Sequence, residues 1–346
     1  MVVRDPWRLA VLPLLLLLGC GGEEKSSGNS GDAAARGTGP GDWVAGDYPP
    51  DLKAQTYLEI SGVEGQQGNT RQYKVHVPPG YDPKLPAPLV FCFHGLAQNA
   101  VMFCVDGAGL VSKADASGFI LVMPNGQMNR WNAGACCMPD PVLNDVALVR
   151  AIFEEVGKHV NVDLDRVYAT GLSNGGFMSY RLACEASDIF AAVAPSAGAL
   201  TSNELGWGNT ASDFAACAPS EPVSVLDLHG TGDSIVPYDL QARSLEIIRR
   251  VNGCSATTIP AVAPPSSGDT SCVSYTGCPQ SIEVTGCTVQ GGGHVWFGSE
   301  SCGTGAGPGG CSFVGANSTT LVNTDAVWDF FSRHSKSRGG RATCEV

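Results

Sequence analysis

The chain has 346 residues, 43% hydrophobic and 16% charged, so it carries enough apolar side chain to bury a sizeable core, and its composition excludes wholesale disorder. Its formal net charge of −12 excludes a nucleic-acid partner, which needs clustered cations to displace phosphate counterions. The few late cations, Arg333, Lys336, Arg338 and Arg341, read as a solvated tail.

Residues 1–19 read as an export signal. Arg4 and Arg8 form a basic flank and Leu9 to Leu18 an apolar run too short for an ordinary membrane span. Leu17-Leu18-Gly19-Cys20 resembles the lipobox of bacterial lipoproteins, which predicts an exported protein anchored to a membrane through a lipid on Cys20; an ordinary secretory signal is the alternative. Residues 20–50, rich in Gly, Ser, Ala and Asp, read as a flexible tether, and residues 51–346 as one domain. Fourteen cysteines in an exported chain read as disulfides. With Cys20 given to lipid the remaining number is odd, so at least one thiol is free. A zinc site would need paired Cys-x-x-Cys knuckles or a histidine pair at ligand spacing, and the sequence has neither. No metal and no cofactor is expected.

Arg71 to Val77 alternates polar and apolar residues and closes at Pro78-Pro79, as a strand should. Leu89 to Phe93 and Phe119 to Met123 are short apolar runs that suit strands buried on both faces. From Asn144 the period becomes helical: Val146, Val149, Ile152, Phe153, Val156 and Val160 share one face, with Asn144 as N-cap. Further strands are expected at Val167 to Thr170, Ala191 to Ala194, Val223 to Leu228 and Ser281 to Val289, with helices at Asn174 to Cys184 and Thr324 to His334. Such alternation demands right-handed crossovers and a mainly parallel sheet with helices on both faces. Residues 255–280 and 298–320 read as disulfide-stapled excursions.

Gly171-Leu172-Ser173-Asn174-Gly175 lies between a predicted strand and a predicted helix. That is the setting of a nucleophile elbow, where a serine occupies a strained turn and small residues let neighbouring backbone approach. A serine hydroxyl attacks only if a base takes its proton. Of the six histidines, His76, His159 and His334 suit surface or capping roles, and His94 and His229 end apolar strands and shape loops. His294, in a glycine loop after the last predicted strand, is left as base. Asp233, just past Val223 to Leu228, is the expected acid, with Asp239 as fallback. The order Ser, Asp, His is the one expected of α/β-hydrolases. An oxyanion would be held by the backbone N–H of Asn174 and by that of Leu96, with Ala97 close behind.

These residues resemble extracellular esterases of the poly(3-hydroxybutyrate) depolymerase and feruloyl esterase type, related to carbohydrate esterase family one. The resemblance runs from Tyr57 to Phe331. It rests on Phe93-His94-Gly95, Arg130-Trp131-Asn132-Ala133-Gly134 with Cys136-Cys137, Asn144-Asp145-Val146, Thr170 to Gly176, His229 to Asp233 and Gly292 to Trp296. Phe297 and Asn144 depart from the relatives' commoner proline and aspartate. The resemblance implies an α/β-hydrolase fold and hydrolysis of feruloyl, acetyl or short hydroxyalkanoate esters through an acyl-enzyme. It implies a bridge from Cys136 or Cys137 to Cys184, a second from Cys254 to Cys278, and Cys217 as a partner for whichever of the adjacent cysteines remains. It places Trp131 and Trp296 beside the pocket, where an indole could stack on substrate or belong to the core, and His94 near substrate. A monomer is expected. The rival readings are a depolymerase acting on polymer, a peptidase, and a non-catalytic binding lipoprotein; poor turnover of polymer granules is expected.

Overall fold

A computed structural model of the chain describes residues 37–39, 41, 43, 57–66, 68–134, 136–137, 143–200, 217–264, 266–279, 281–303, 314–318 and 320–336. Its strands are β1 (Leu58–Ile60), β2 (Arg71–His76), β3 (Ala87–Phe93), β4 (Ile120–Pro124), β5 (Val162–Leu172), β6 (Ala192–Ser196), β7 (Ser224–Gly230), β8 (Thr258–Pro260), β9 (Thr270–Tyr275) and β10 (Val284–Val289). The helices are α1 (Leu110–Ser117), α2 (Asp145–His159), α3 (Asn174–Glu185), α4 (Asp239–Val251) and α5 (Asn323–Ser332), with a π-helical turn over Val101–Gly107. The strands form one sheet in the order β1-β2-β4-β3-β5-β6-β7-β10-β9-β8. The central six, β4 to β10 in that order, run parallel, and β1, β2, β8 and β9 add antiparallel edges. The described residues, 37 to 336, belong to one compact unit.

Successive side chains of β3 feed opposite cores, as the period of two requires. Phe91 and Phe93 pack beneath α2, α3 and α4 with Val149, Phe177 and Leu245. Val90 and Cys92 pack on the other face with Leu110 of α1 and with Phe330 and Phe331 of α5. Every residue of β3 and β7 is buried, which is why β3 reads as a continuous apolar run, while β7 carries Asp227 and His229 inside its apolar pattern. Asn144 caps α2, its Oδ1 accepting the Ala147 amide at 3.0 Å.

Several expectations are corrected. Residues 255–280 are disulfide-stapled as expected but also hold β8 and β9, which widen the sheet; Cys272 faces Cys287 across the β9–β10 ladder and bonds to it. The stretch before β4 holds α1, an eight-residue helix bounded by Gly109 and Gly118 at positive φ, too short to show a helical period. Neither Cys136 nor Cys137 is bridged to Cys184, and neither pairs with Cys217: Cys136 pairs with Cys137 and Cys184 with Cys217. The reason is distance along α3, because Cys136 Sγ lies 3.9 Å from the Asn174 side chain at the helix start, and Cys184 is about 15 Å further on at 1.5 Å per residue. Cys254–Cys278 forms as expected, and Cys92–Cys104 ties β3 to the π-helical turn. All described cysteines are disulfide-bonded, and the remaining ones, Cys20 among them, lie outside the described residues with the signal segment. The tether reading gives way at its described residues. Trp43 stacks on His159 with centroids 4.4 Å apart, and Thr38 Oγ1 donates to the Val160 carbonyl at 2.8 Å.

Candidate active site

Four parallel strands end along one edge of the sheet, and the residues just past them meet there. Ser173 lies between β5 and α3 at φ 57° and ψ −123°, a strained conformation for a residue with a Cβ. Its amide donates to the Ser196 carbonyl at 2.9 Å, and its own carbonyl accepts the Phe177 amide at 2.9 Å. The flanking glycines are required by crowding. A Cβ on Gly171 would lie 2.5 Å, and one on Gly175 2.0 Å, from the Phe93 carbonyl oxygen.

Asp233 occupies the turn after β7. Its Oδ1 accepts the Ile235 and Val236 amides, each at 2.8 Å. Its Oδ2 accepts His294 Nδ1 at 2.7 Å and has His229 Nε2 at 3.4 Å. Burial favours the protonated carboxyl, but hydrogen bonds from His229 and His294 outweigh it and hold Asp233 well below the usual carboxylate range. The neutral His294 ring therefore carries its proton on Nδ1, and its Nε2 lone pair is left for a proton from elsewhere. The fallback acid, Asp239, starts α4 and pairs with Arg243 at 3.1 Å.

Ser173 and His294 line one cavity of about 410 Å³, walled by Leu96, Met102, Cys137, Leu172, Ile235 and Val314 among others. Its described lining contains no Lys, Arg, Asp or Glu. Ala97 sits at φ 62° with its amide donated to the Asn129 carbonyl at 2.9 Å. The Leu96 amide has no acceptor among the described residues. The Asn174 amide belongs to the first turn of α3, where helix N–H groups have no intrahelical partner. The Asn174 side chain grips the backbone of Trp131: Oδ1 accepts Trp131 N at 2.7 Å and Nδ2 donates to Trp131 O at 3.2 Å.

Trp131, Trp296 and His94 are each 0% exposed, and none lines the cavity, so both indoles take the core alternative and the expected substrate contact of His94 is corrected. Each is held inside by its own polar atoms. Trp131 Nε1 donates to the His94 carbonyl at 2.9 Å, and Trp296 Nε1 donates to Thr324 Oγ1 at 2.9 Å. His94 Nδ1 lies 2.7 Å from Gly95 O, and its Nε2 accepts the Gly126 amide at 2.9 Å. Burial pushes the His94 imidazole down to about 4, so it stays neutral and shapes the loop. Sequence reading missed Gln98, which lines the cavity and ties Gly95 to Gly303 through bonds of 2.8 and 2.7 Å. It also missed Asp227, although a lone aspartate inside an apolar strand is a visible signal. Among the described residues no His, Cys, Asp or Glu cluster could hold a metal ion, and no helix is long and apolar enough to cross a membrane.

The family described as Esterase PHB depolymerase matches residues 71–231. Feruloyl esterase C of Emericella nidulans is 32% identical over 272 residues, spanning 77% of this chain and 85% of its own. Feruloyl esterase B of Piromyces equi is 28% identical over 65% of this chain and 42% of its own. Among solved structures, an acetyl xylan esterase from Aspergillus awamori superposes with a TM-score of 0.53 at 16% identity, over 69% of this chain and 94% of that one. The chain is a carboxylic ester hydrolase of α/β-hydrolase fold and belongs to the poly(3-hydroxybutyrate) depolymerase and feruloyl esterase family.

Proposed function

We propose that the protein cleaves feruloyl, acetyl or short hydroxyalkanoate esters with Ser173 as nucleophile, His294 as general base and Asp233 as the acid that orients it. Ser173 Oγ attacks the ester carbonyl while His294 Nε2 takes its proton, and the backbone N–H groups of Leu96 and Asn174 receive the oxyanion. Collapse expels the alcohol, which leaves with the proton from His294; water activated by the same imidazole then frees the acid and restores Ser173. The observation that carries this reading is the 2.7 Å bond from His294 to Asp233 beside a cavity that His294 shares with Ser173. The choice of acyl group draws support from the feruloyl and acetyl xylan esterases it resembles and from the uncharged, apolar walls.

The test compares wild type with Ser173→Ala on 4-nitrophenyl acetate and methyl ferulate. Loss of kcat by about a thousandfold or more is expected, because removing the attacking atom disables the whole unit. A variant rate above about a tenth of wild type would sink the assignment of the nucleophile. We further propose export with a lipid on Cys20, on the strength of Leu17-Leu18-Gly19-Cys20. Cys20→Ser is expected to shift the protein from the membrane to the soluble fraction, and a variant that stays with membranes after signal cleavage would refute the anchor.

A further inference from the structure

Behind Asp233 lies a buried polar cluster to which the proposed reaction gives no role. His229, next to last in β7, and Asp227, two residues earlier, are both 0% exposed. His229 Nε2 lies 2.9 Å from the Val236 carbonyl and 3.4 Å from Asp233 Oδ2, the oxygen that also receives His294 Nδ1. His229 Nδ1 is buried with no partner among the described residues. Only Nε2 has acceptors in reach, so the neutral ring carries its proton there, donated to the Val236 carbonyl with Asp233 Oδ2 as the second, longer contact. Asp227 is engaged from two helices: Oδ2 accepts from the Tyr180 hydroxyl of α3 and Oδ1 from Gln241 Nε2 of α4 at 2.8 Å. Tyr238 sets its ring edge-on to the imidazole at 6.1 Å, and the residue facing it from β10 is the uncharged Thr288. Asp227, Asp233, Tyr180, Tyr238 and, through Asp233, His294 are thus the titratable groups around it. Burial opposes a charge on His229, but the hydrogen bond to Asp233 and the fields of Asp227 and Asp233 outweigh it and raise its proton affinity.

We propose that His229 is a positioning residue for the hydrolysis, its Nε2–H sharing Asp233 Oδ2 with His294 and thereby fixing both the angle of that carboxylate and its pull on the base. The proposal rests on the reading of Ser173, Asp233 and His294 above. Asp233 Oδ1 is pinned by two backbone amides, whereas Oδ2 has only the two imidazoles. Without His229, Oδ2 would have His294 as its one remaining partner, stabilising the protonated form of that imidazole, and would lose a lateral restraint. A base that holds its proton more tightly is unavailable over a wider acid range.

The test measures kcat and KM on 4-nitrophenyl acetate across about pH 5–9 for His229→Leu, His229→Asn and His229→Gln, beside wild type and Ser173→Ala. Gln can bring an amide N–H to the place of Nε2, whereas Asn reaches only the place of Nδ1. His229→Leu and His229→Asn are expected to lose about ten- to a hundredfold in kcat with KM within about twofold, by analogy with the loss found for partners that orient metal ligands. Their acid limb moves to higher pH, and His229→Gln recovers most of both losses. Equal impairment of Gln and Asn, or an acid limb common to all variants, would overturn the proposal. If His229→Leu does not fold by circular dichroism, the Gln and Asn pair decides alone. An active wild type, an inert Ser173→Ala and a flat His229 series would reject the positioning role and leave the nucleophile standing. A Ser173→Ala that retains activity would reject the reading beneath it.

Discussion

At the scale of single residues, the site is built by what is missing as much as by what is present. Ala is favoured over Gly inside a helix by roughly 1 kcal/mol, and Gly175 lies in the first turn of α3, so propensity alone predicts that Gly175→Ala stabilises. The crowding is larger: the added Cβ would stand 2.0 Å from the Phe93 carbonyl oxygen and 2.9 Å from that of His94, both backbone atoms at the end of a central strand. Overpacking of this kind costs about 1–3 kcal/mol or more, so the clash wins. Gly175→Ala is expected to lower Tm by about 5 °C and, on the proposed reading of Ser173, to cut kcat, because relief must come from moving either the Ser173 turn or the loop bearing Leu96. Gly80→Ala, where a Cβ meets nothing within 4 Å, is the control and should leave both unchanged. Matching Tm values for Gly175→Ala and wild type would show that the elbow tolerates a side chain.

At the scale of elements, legibility followed the strength of the local pattern. The central strands were visible because burial on both faces leaves continuous apolar runs, and β3, β4, β6 and β7 fall within a residue or two of where those runs placed them. β5 begins earlier than its run, since Asp163, Asp165 and Arg166 interrupt the apolar pattern; Arg166 pairs with the buried Asp163. β8 and β9 were hidden in a Gly- and Ser-rich stretch because edge strands need little apolar content: β8 is exposed throughout and β9 is stapled through Cys272 to Cys287. The juxtaposition of Ser173, Asp233 and His294, with His294 bonded to Asp233 and sharing a cavity with Ser173, was the one expected from order and loop position; their roles are the proposal above. The part played by Trp131 was not legible, because whether an indole near a pocket faces in or out depends on long-range partners. Here those are the His94 carbonyl and the Asn174 side chain, the second reaching 43 positions along the chain. The Asn144-Asp145-Val146 motif has the same kind of explanation. Buried Asp145 pairs with Arg71 at 2.8 Å and accepts the Asn132 amide at 2.7 Å, fixing the loop that Asn174 grips.

At the scale of the whole molecule, the chain carries a net charge of −12, and the described lining of the cavity carries no fixed charge. Selectivity between neutral and charged esters then depends on the long-range field more than on contacts, and that field is adjustable by salt. At an ionic strength of about 0.01 M the screening length is about 30 Å, long enough for distributed carboxylates to act on an approaching ligand, whereas at about 0.5 M it is only a few ångströms. An anionic ester, such as an aryl monosuccinate, is therefore expected to be a poor substrate at low salt, with kcat/KM rising about three- to tenfold over that range. A neutral ester such as 4-nitrophenyl acetate should change by less than about twofold, since steering acts only on charge. Any gain for the anion belongs in kcat/KM rather than kcat, because repulsion opposes encounter and leaves the bound chemistry alone. The measurement is a salt titration of both esters on one preparation. If kcat/KM for the anionic ester falls as salt is added, cations near the cavity mouth dominate over the net charge and the proposed basis of selectivity is wrong.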